Sequence, residues 1–176
     1  MMLDGLLKLK KWMTSALNAV LIVAVLLLVL DVVWGVFTRY VMGEQAKWTE
    51  ELARFLLVWV SLLGGAVAFG NKAHLGVDYF VGRFHPDIQK LMGVFAYGVV
   101  LFFSVSIFVY GGSRVVSDAL AMEQMTPALG LKMGHVYLAL PIAGVFMVLF
   151  TVENLIETWT APARDLNSDD VAGEVE

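Results

Sequence analysis

Residues 48–78 read WTEELARFLLVWVSLLGGAVAFGNKAHLGVD, a charged start, a membrane-length apolar stretch and a polar exit in one unbroken run. A helix is predicted from Thr49, whose hydroxyl is of the type that caps a free N-terminal N–H. Glu50 and Glu51 follow at the positive end of the helix dipole. The third helical position is Leu52, so a full capping box is absent. At about 100° per residue, Arg54 projects between Glu50 and Glu51, and one arginine can serve both carboxylates. The same face continues through Val58, Ser61, Gly65, Ala68 and Lys72 in steps of three and four. That spacing predicts a helix-packing seam in which Ser61, Gly65 and Ala68 let another helix backbone come close. Leu52, Leu56 and Leu63 lie opposite and are expected to meet lipid or an apolar neighbour.

The composition extends this reading to the whole chain. Of 176 residues, 59% are hydrophobic and only 16% charged, and the mean hydropathy is +0.77. Ordinary globular domains are about 45–50% apolar, so the chain is expected to be an integral membrane protein with the lipid bilayer as its solvent. The net charge of −4 comes largely from the tail after Arg164, and beyond Lys8, Lys10 and Lys11 there is no basic patch. No nucleic-acid partner is expected. The absence of cysteine excludes disulfide frameworks, thiol relays and thiolate metal sites. The absence of a GxxxxGK[ST] loop excludes ATP hydrolysis by this chain. A basic N-terminus precedes an apolar run over 16–37 that lacks a small-residue cleavage site, which reads as an uncleaved signal anchor.

A bilayer core of about 30 Å requires about 20 apolar helical residues. Four stretches meet that length, at about 12–38, 49–70, 88–116 and 135–159. The fold class is therefore all-α, an integral membrane protein with four transmembrane helices. Residues 12–159 form the membrane domain, 1–11 a cytoplasmic basic N-terminus, and 160–176 a cytoplasmic acidic tail expected to be disordered. The third span exceeds the need and is expected to tilt or project. Trp12, Trp34, Trp48 and Trp159 lie near span ends, where aromatic belts form. Lys8, Lys10, Lys11, Lys72, Arg83, Lys90 and Arg164 fall on one side, against Arg39, Lys47, Arg114 and Lys132 on the other. The positive-inside rule then places both termini in the cytoplasm.

In the second loop, Val77, Phe80, Val81 and Phe84 recur at helical spacing, and a short interfacial helix is expected there. Pro86 suits the first turn of the third span. Thr126-Pro127 ends any extension of that span, and Pro141 is expected to kink the fourth.

Asp31 is the most informative charge, because a carboxylate in a spanning helix is costly and usually has a partner. Counting at about 1.5 Å per residue, Asp31 and Arg54 both lie roughly 8–10 Å below the outer surface. They are expected to pair between helices, with Glu50 and Glu51 above. The cluster of Asp31, Glu50, Glu51 and Arg54 reads as a structural lock on helix register in preference to a proton or substrate site. Lys72, His74 and Asp78 are expected to shape the cytoplasmic turn. His74 and Asp78 look like half a metal site, but His85 and His135 are not placed to complete it. Glu153 and Glu157 read as an interfacial face, since no further carboxylate completes a cation shell. No catalytic residue, metal or cofactor is expected. Nor does any span carry charge at mid-depth, where transporters place substrate and ion sites. A helper subunit fits this pattern better than a complete transport path.

WTEELARFLLVW (48–59), GNKAHLGVD (70–78), TPALGL (126–131) and VYLALPIAG (136–144), in this order, resemble the small membrane subunit of tripartite ATP-independent periplasmic (TRAP) transporters, the DctQ-like family. The resemblance covers roughly 12–159, and His74, Asp78 and Pro141 match positions typical of the family. It implies a bacterial inner-membrane complex with a large multi-span subunit carrying the substrate and sodium sites, and a periplasmic substrate-binding protein delivering an organic acid. This chain would then be a scaffold, with outward loops at 39–48 and 118–134 able to touch the binding protein. Two other classes stay open at the level of sequence. A small multidrug exporter needs a midplane acid in its first span, whereas Asp31 is off-centre. A non-catalytic subunit of a membrane enzyme complex needs inward ligands, which are not seen.

Overall fold

A computed structural model describes residues 2–44, 46–70 and 86–160. Lys72, His74, Asp78, the interfacial helix expected around 77–84 and the acidic tail lie outside the described residues. Among those described, every extended element is helical, and the nearest thing to a strand is one isolated bridge between Met125 and Lys132. The helices are α1 (Met2–Val41), α2 (Lys47–Gly70), α3 (Pro86–Phe103), α4 (Gly112–Ala121), α5 (Met133–Tyr137) and α6 (Ala139–Thr160). A π-helical segment, Ser104–Gly111, joins α3 to α4.

Among the described residues, four stretches are long and apolar enough to cross a membrane: Lys11–Val41, Lys47–Gly70, Leu91–Ala121 and Met133–Ile156. The all-α, four-span fold class read from the sequence holds. α2 begins at Lys47, two residues before the start predicted at Thr49. The Thr49 hydroxyl caps no N–H; it donates to the Ala46 carbonyl at 2.7 Å, inside the first turn.

The spans pack in an order that differs from their order in sequence. α1 packs on α2, α2 on α6, and α6 on α3 and the π segment. Span four therefore sits between two and three. In its most apolar window 39% of residues are buried, against 6–17% in the other three spans, so α6 is the centre of the molecule. Its contact with α2 is a cluster of Leu63, Val67, Ala143 and Phe150, with Leu17 of α1 reaching in and Trp59 and Phe146 packed around it. A Cβ on Gly70 would lie 3.1 Å from the Phe150 ring. One turn beyond, buried Asn154 donates its amide to the Phe69 carbonyl at 3.2 Å.

The contact of α6 with span three uses backbone irregularity on both sides. In the π segment the Gly112 N–H bonds the Ile107 carbonyl, five residues back, which widens the turn. A Cβ on Gly144 would fall 2.6 Å from Phe108 Cβ, and one on Gly112 3.1 Å from Pro141 Cδ. Pro141 has no N–H to give the carbonyl four residues back, and its ring would crowd that group. The helical bonding is interrupted at the matching place, between α5 ending at Tyr137 and α6 opening at Ala139, although Leu138 itself stays right-handed helical and still bonds Gly134 O at 3.1 Å.

These glycines, not the predicted stripe, make the close approaches within the chain. Ser61 and Ala68 are exposed, and a Cβ on Gly65 would meet nothing within 4 Å. The buried face of α2 is Thr49, Leu63, Ala66, Val67 and Gly70. Leu63, expected to meet lipid or an apolar neighbour, meets the apolar side chains of the core. Small residues mark where a helix is able to approach, and in a membrane the hydrophobic pattern does not choose which face is used.

Candidate functional site

Among the described residues, a group of polar contacts lies at one end of the molecule, where the α1–α2 turn and the loop before α5 meet. Thr38 closes the first turn: its hydroxyl donates to Gly35 O at 3.0 Å and accepts from Ala46 N at 3.4 Å. Ala46 O in turn takes the Thr49 hydroxyl. Buried Thr38 and Thr49 thus hold α1 and α2 at a fixed spacing just where α2 starts.

The expected four-residue charge cluster is divided into three. Arg54 bonds Glu50 at 3.5 Å, four residues back, with both side chains about 70% exposed. Such a pair contributes about 0.3–0.5 kcal/mol. Asp31 does not reach Arg54. It is 6% exposed, on the buried Asp31, Gly35 and Thr38 stripe of α1, and neither carboxylate oxygen has a hydrogen-bond partner among the described residues. Equal depth in the bilayer leaves the azimuth open, and Arg54 points outward.

Glu51 has a role the sequence did not suggest. Its two carboxylate oxygens accept the backbone N–H groups of Ala128 and Leu129, each at 3.0 Å. These residues form the tip of the TPALGL turn. The rest of that turn is internally bonded: Thr126 N to Leu131 O at 2.9 Å, Leu131 N to the Thr126 hydroxyl at 3.1 Å, and Gly130 N to Thr126 O at 3.1 Å. Gly130 has φ +63°, the left-handed conformation that glycine adopts without strain. Pro127 contributes no donor, so Glu51 takes the two tip donors that face α2. A carboxylate accepting two backbone N–H groups is a strong, charge-assisted contact. The only sequence signal for it was a turn of Pro and Gly chemistry near the end of a span, and that signal names no partner.

Two apolar recesses flank the helices. One, about 330 Å³, lies between α1, α2 and α5 and is lined by Val20, Ala24, Phe55, Trp59 and His135 among others. The other, about 450 Å³, opens where the α6 break meets α4, lined by Ser113, Val116, Pro141, Ile142 and Phe146 among others. Neither gathers the titratable groups a reaction needs. Among the described residues no group of three His, Cys, Asp or Glu side chains converges on a metal position.

Comparison with known proteins agrees with this arrangement. The sequence model of the DctQ component of tripartite ATP-independent periplasmic transporters matches residues 28–161. The sialic acid TRAP transporter small permease protein SiaQ of Vibrio cholerae serotype O1 is 28% identical over 134 residues, covering 76% of this chain and 75% of the relative. A putative TRAP transporter small permease protein of Haemophilus influenzae is 28% identical over 149 residues, covering 83% and 88%. The isethionate TRAP transporter permease protein DctMQ of Oleidesulfovibrio alaskensis is 27% identical over 113 residues, 64% of this chain but 18% of that longer one. With a family match over most of its length and four membrane-length helices, the chain belongs to the DctQ component family of TRAP transporters and is a transporter subunit, not an enzyme.

Proposed function

We propose that this chain is the small membrane subunit of a sodium-driven TRAP transporter that takes up organic acids across a bacterial inner membrane. Both termini are cytoplasmic. The chain is a static scaffold for a large multi-span subunit, and its outer loops meet a periplasmic substrate-binding protein transiently. The observation that carries this reading is the match to DctMQ, in which a region like this one makes up 18% of a much longer permease chain. A covalent union of that kind supports a permanent partnership between the small unit and a large membrane body. Relatives named for sialic acid and isethionate support an acidic organic substrate.

The same reading gives the open face of α2 a role. Arg54, Leu57, Ser61 and Ala68 are exposed along it, Gly65 is open beside them, and a small-residue helix face suits close backbone approach in lipid. The large subunit is expected to seat there, with the Glu50–Arg54 pair at the rim. Asp31 remains structural in this proposal, and Pro141 shapes the span-three contact.

The test is joint expression with a large TRAP membrane subunit from the same organism. A stable complex is expected, whose uptake in proteoliposomes requires a sodium gradient and the binding protein. A self-sufficient homo-oligomer that transports cationic drugs would overturn the proposal.

A further inference from the structure

We propose that Glu51 is a positioning residue for docking of the periplasmic substrate-binding protein, because it holds the tip of the 124–133 loop in the one conformation that receives it. This rests on the tripartite reading above. The loop is a preformed hairpin: beyond the bonds at its tip, Met133 N bonds Gln124 O at 2.9 Å, and Met125 pairs with Lys132. Its own bonds fix its shape. They do not fix where it stands relative to the other half of the molecule. That is the work of Glu51, which joins the loop to the N-terminal part of α2, 77 and 78 residues away in sequence.

Apolar side chains are exposed on the loop so held and just before it. Met122, Met125 and Leu131 lie beyond the end of Leu91–Ala121 and before Met133–Ile156, and all are exposed, Met125 at 61%. Met42, just past the end of the first span, is exposed at 71% in the adjoining turn. Large apolar groups outside the bilayer mark a protein contact, and methionine adapts to a partner that comes and goes. The partner is the binding protein because these loops carry the smaller share of Lys and Arg, which places them on the outer side. They also stand beyond the helix ends, where a soluble protein has access.

The experiment uses the assembled small and large subunits in proteoliposomes, with the binding protein titrated. If release of the tip leaves the loop competent about a tenth of the time, Glu51→Ala raises the half-saturating concentration of binding protein about tenfold. The maximal uptake rate and the recovery of complex stay at wild-type levels. Hydrogen exchange at Ala128 and Leu129 accelerates in Glu51→Ala, and Glu51→Gln, whose carbonyl oxygen still accepts, restores most of both properties. Met125→Asp, which leaves the Glu51 contact intact, raises the half-saturating concentration as well. Unchanged exchange in Glu51→Ala overturns the latch. Accelerated exchange with unchanged half-saturation, loss of the complex in Glu51→Ala, or a silent Met125→Asp overturns the docking role. A failure of the tripartite reading shows separately, as wild-type uptake that does not depend on the binding protein.

Discussion

Gly144 and Gly65 are the same residue in two spanning helices, yet a Cβ on the first would lie 2.6 Å from Phe108 Cβ while one on the second would meet nothing within 4 Å. The contrast makes a paired prediction. Gly144→Val forces span three away from span four and is expected to cost about 1–3 kcal/mol, read as a lower unfolding midpoint of the isolated chain in detergent. Gly65→Val leaves that midpoint unchanged and reduces the amount of large subunit recovered with the chain. Equal effects of the two on the midpoint would show that the Gly65 face is packed within the chain itself. Residues of this kind also set how far the site was legible. The stripe of Ser61, Gly65 and Ala68 could be read from spacing, but spacing shows which approaches are allowed and not which neighbour makes them. Glu51 next to Arg54 looked like an ion-pair member by helix geometry. Its real partners are backbone N–H groups 77 and 78 residues away, and backbone donors leave no mark in a sequence.

At the scale of the element, spans three and four are each irregular where they touch. The Ser104–Gly111 π segment ends at Gly112, and Gly112 packs on Pro141, three residues past the break at Leu138. Proline announces its own disruption, so the place where span four loses a backbone bond is legible from sequence chemistry. A π segment has no comparable signature, and Ser104–Gly111 reads as ordinary apolar helix. Deleting exposed Val105 removes the extra residue that the widened turn accommodates and returns the segment to α-helical geometry, which shifts the backbone that brings Gly112 onto Pro141. The deletion is expected to lower the unfolding midpoint of the chain by several degrees. An unchanged midpoint would mean that the widened turns do not set the contact.

For the whole molecule, composition alone was enough for the fold class, since few alternatives exist for a chain this apolar. The order of neighbours was not legible, because a face that meets lipid and a face that meets another helix are equally apolar. Orientation is a proposal that rests on eleven basic residues, and the lack of cysteine gives a clean test. Gly43→Cys is expected to react with an impermeant thiol reagent from outside the cell and Gly82→Cys only after the membrane is opened. The reverse pattern would invert the molecule and move the Glu51 loop to the cytoplasm. The placing of α6 between α2 and α3 also bears on how the chain is made. Spans one and two can associate as soon as both have left the ribosome, but span three waits in the bilayer for a neighbour that is synthesised after it. Two of the three interfaces therefore form only once span four has been made, and the bond from Ala128 N–H to Glu51 only after the loop before it, which makes a chain cut before span four an open, unsealed product that quality-control proteases can recognise.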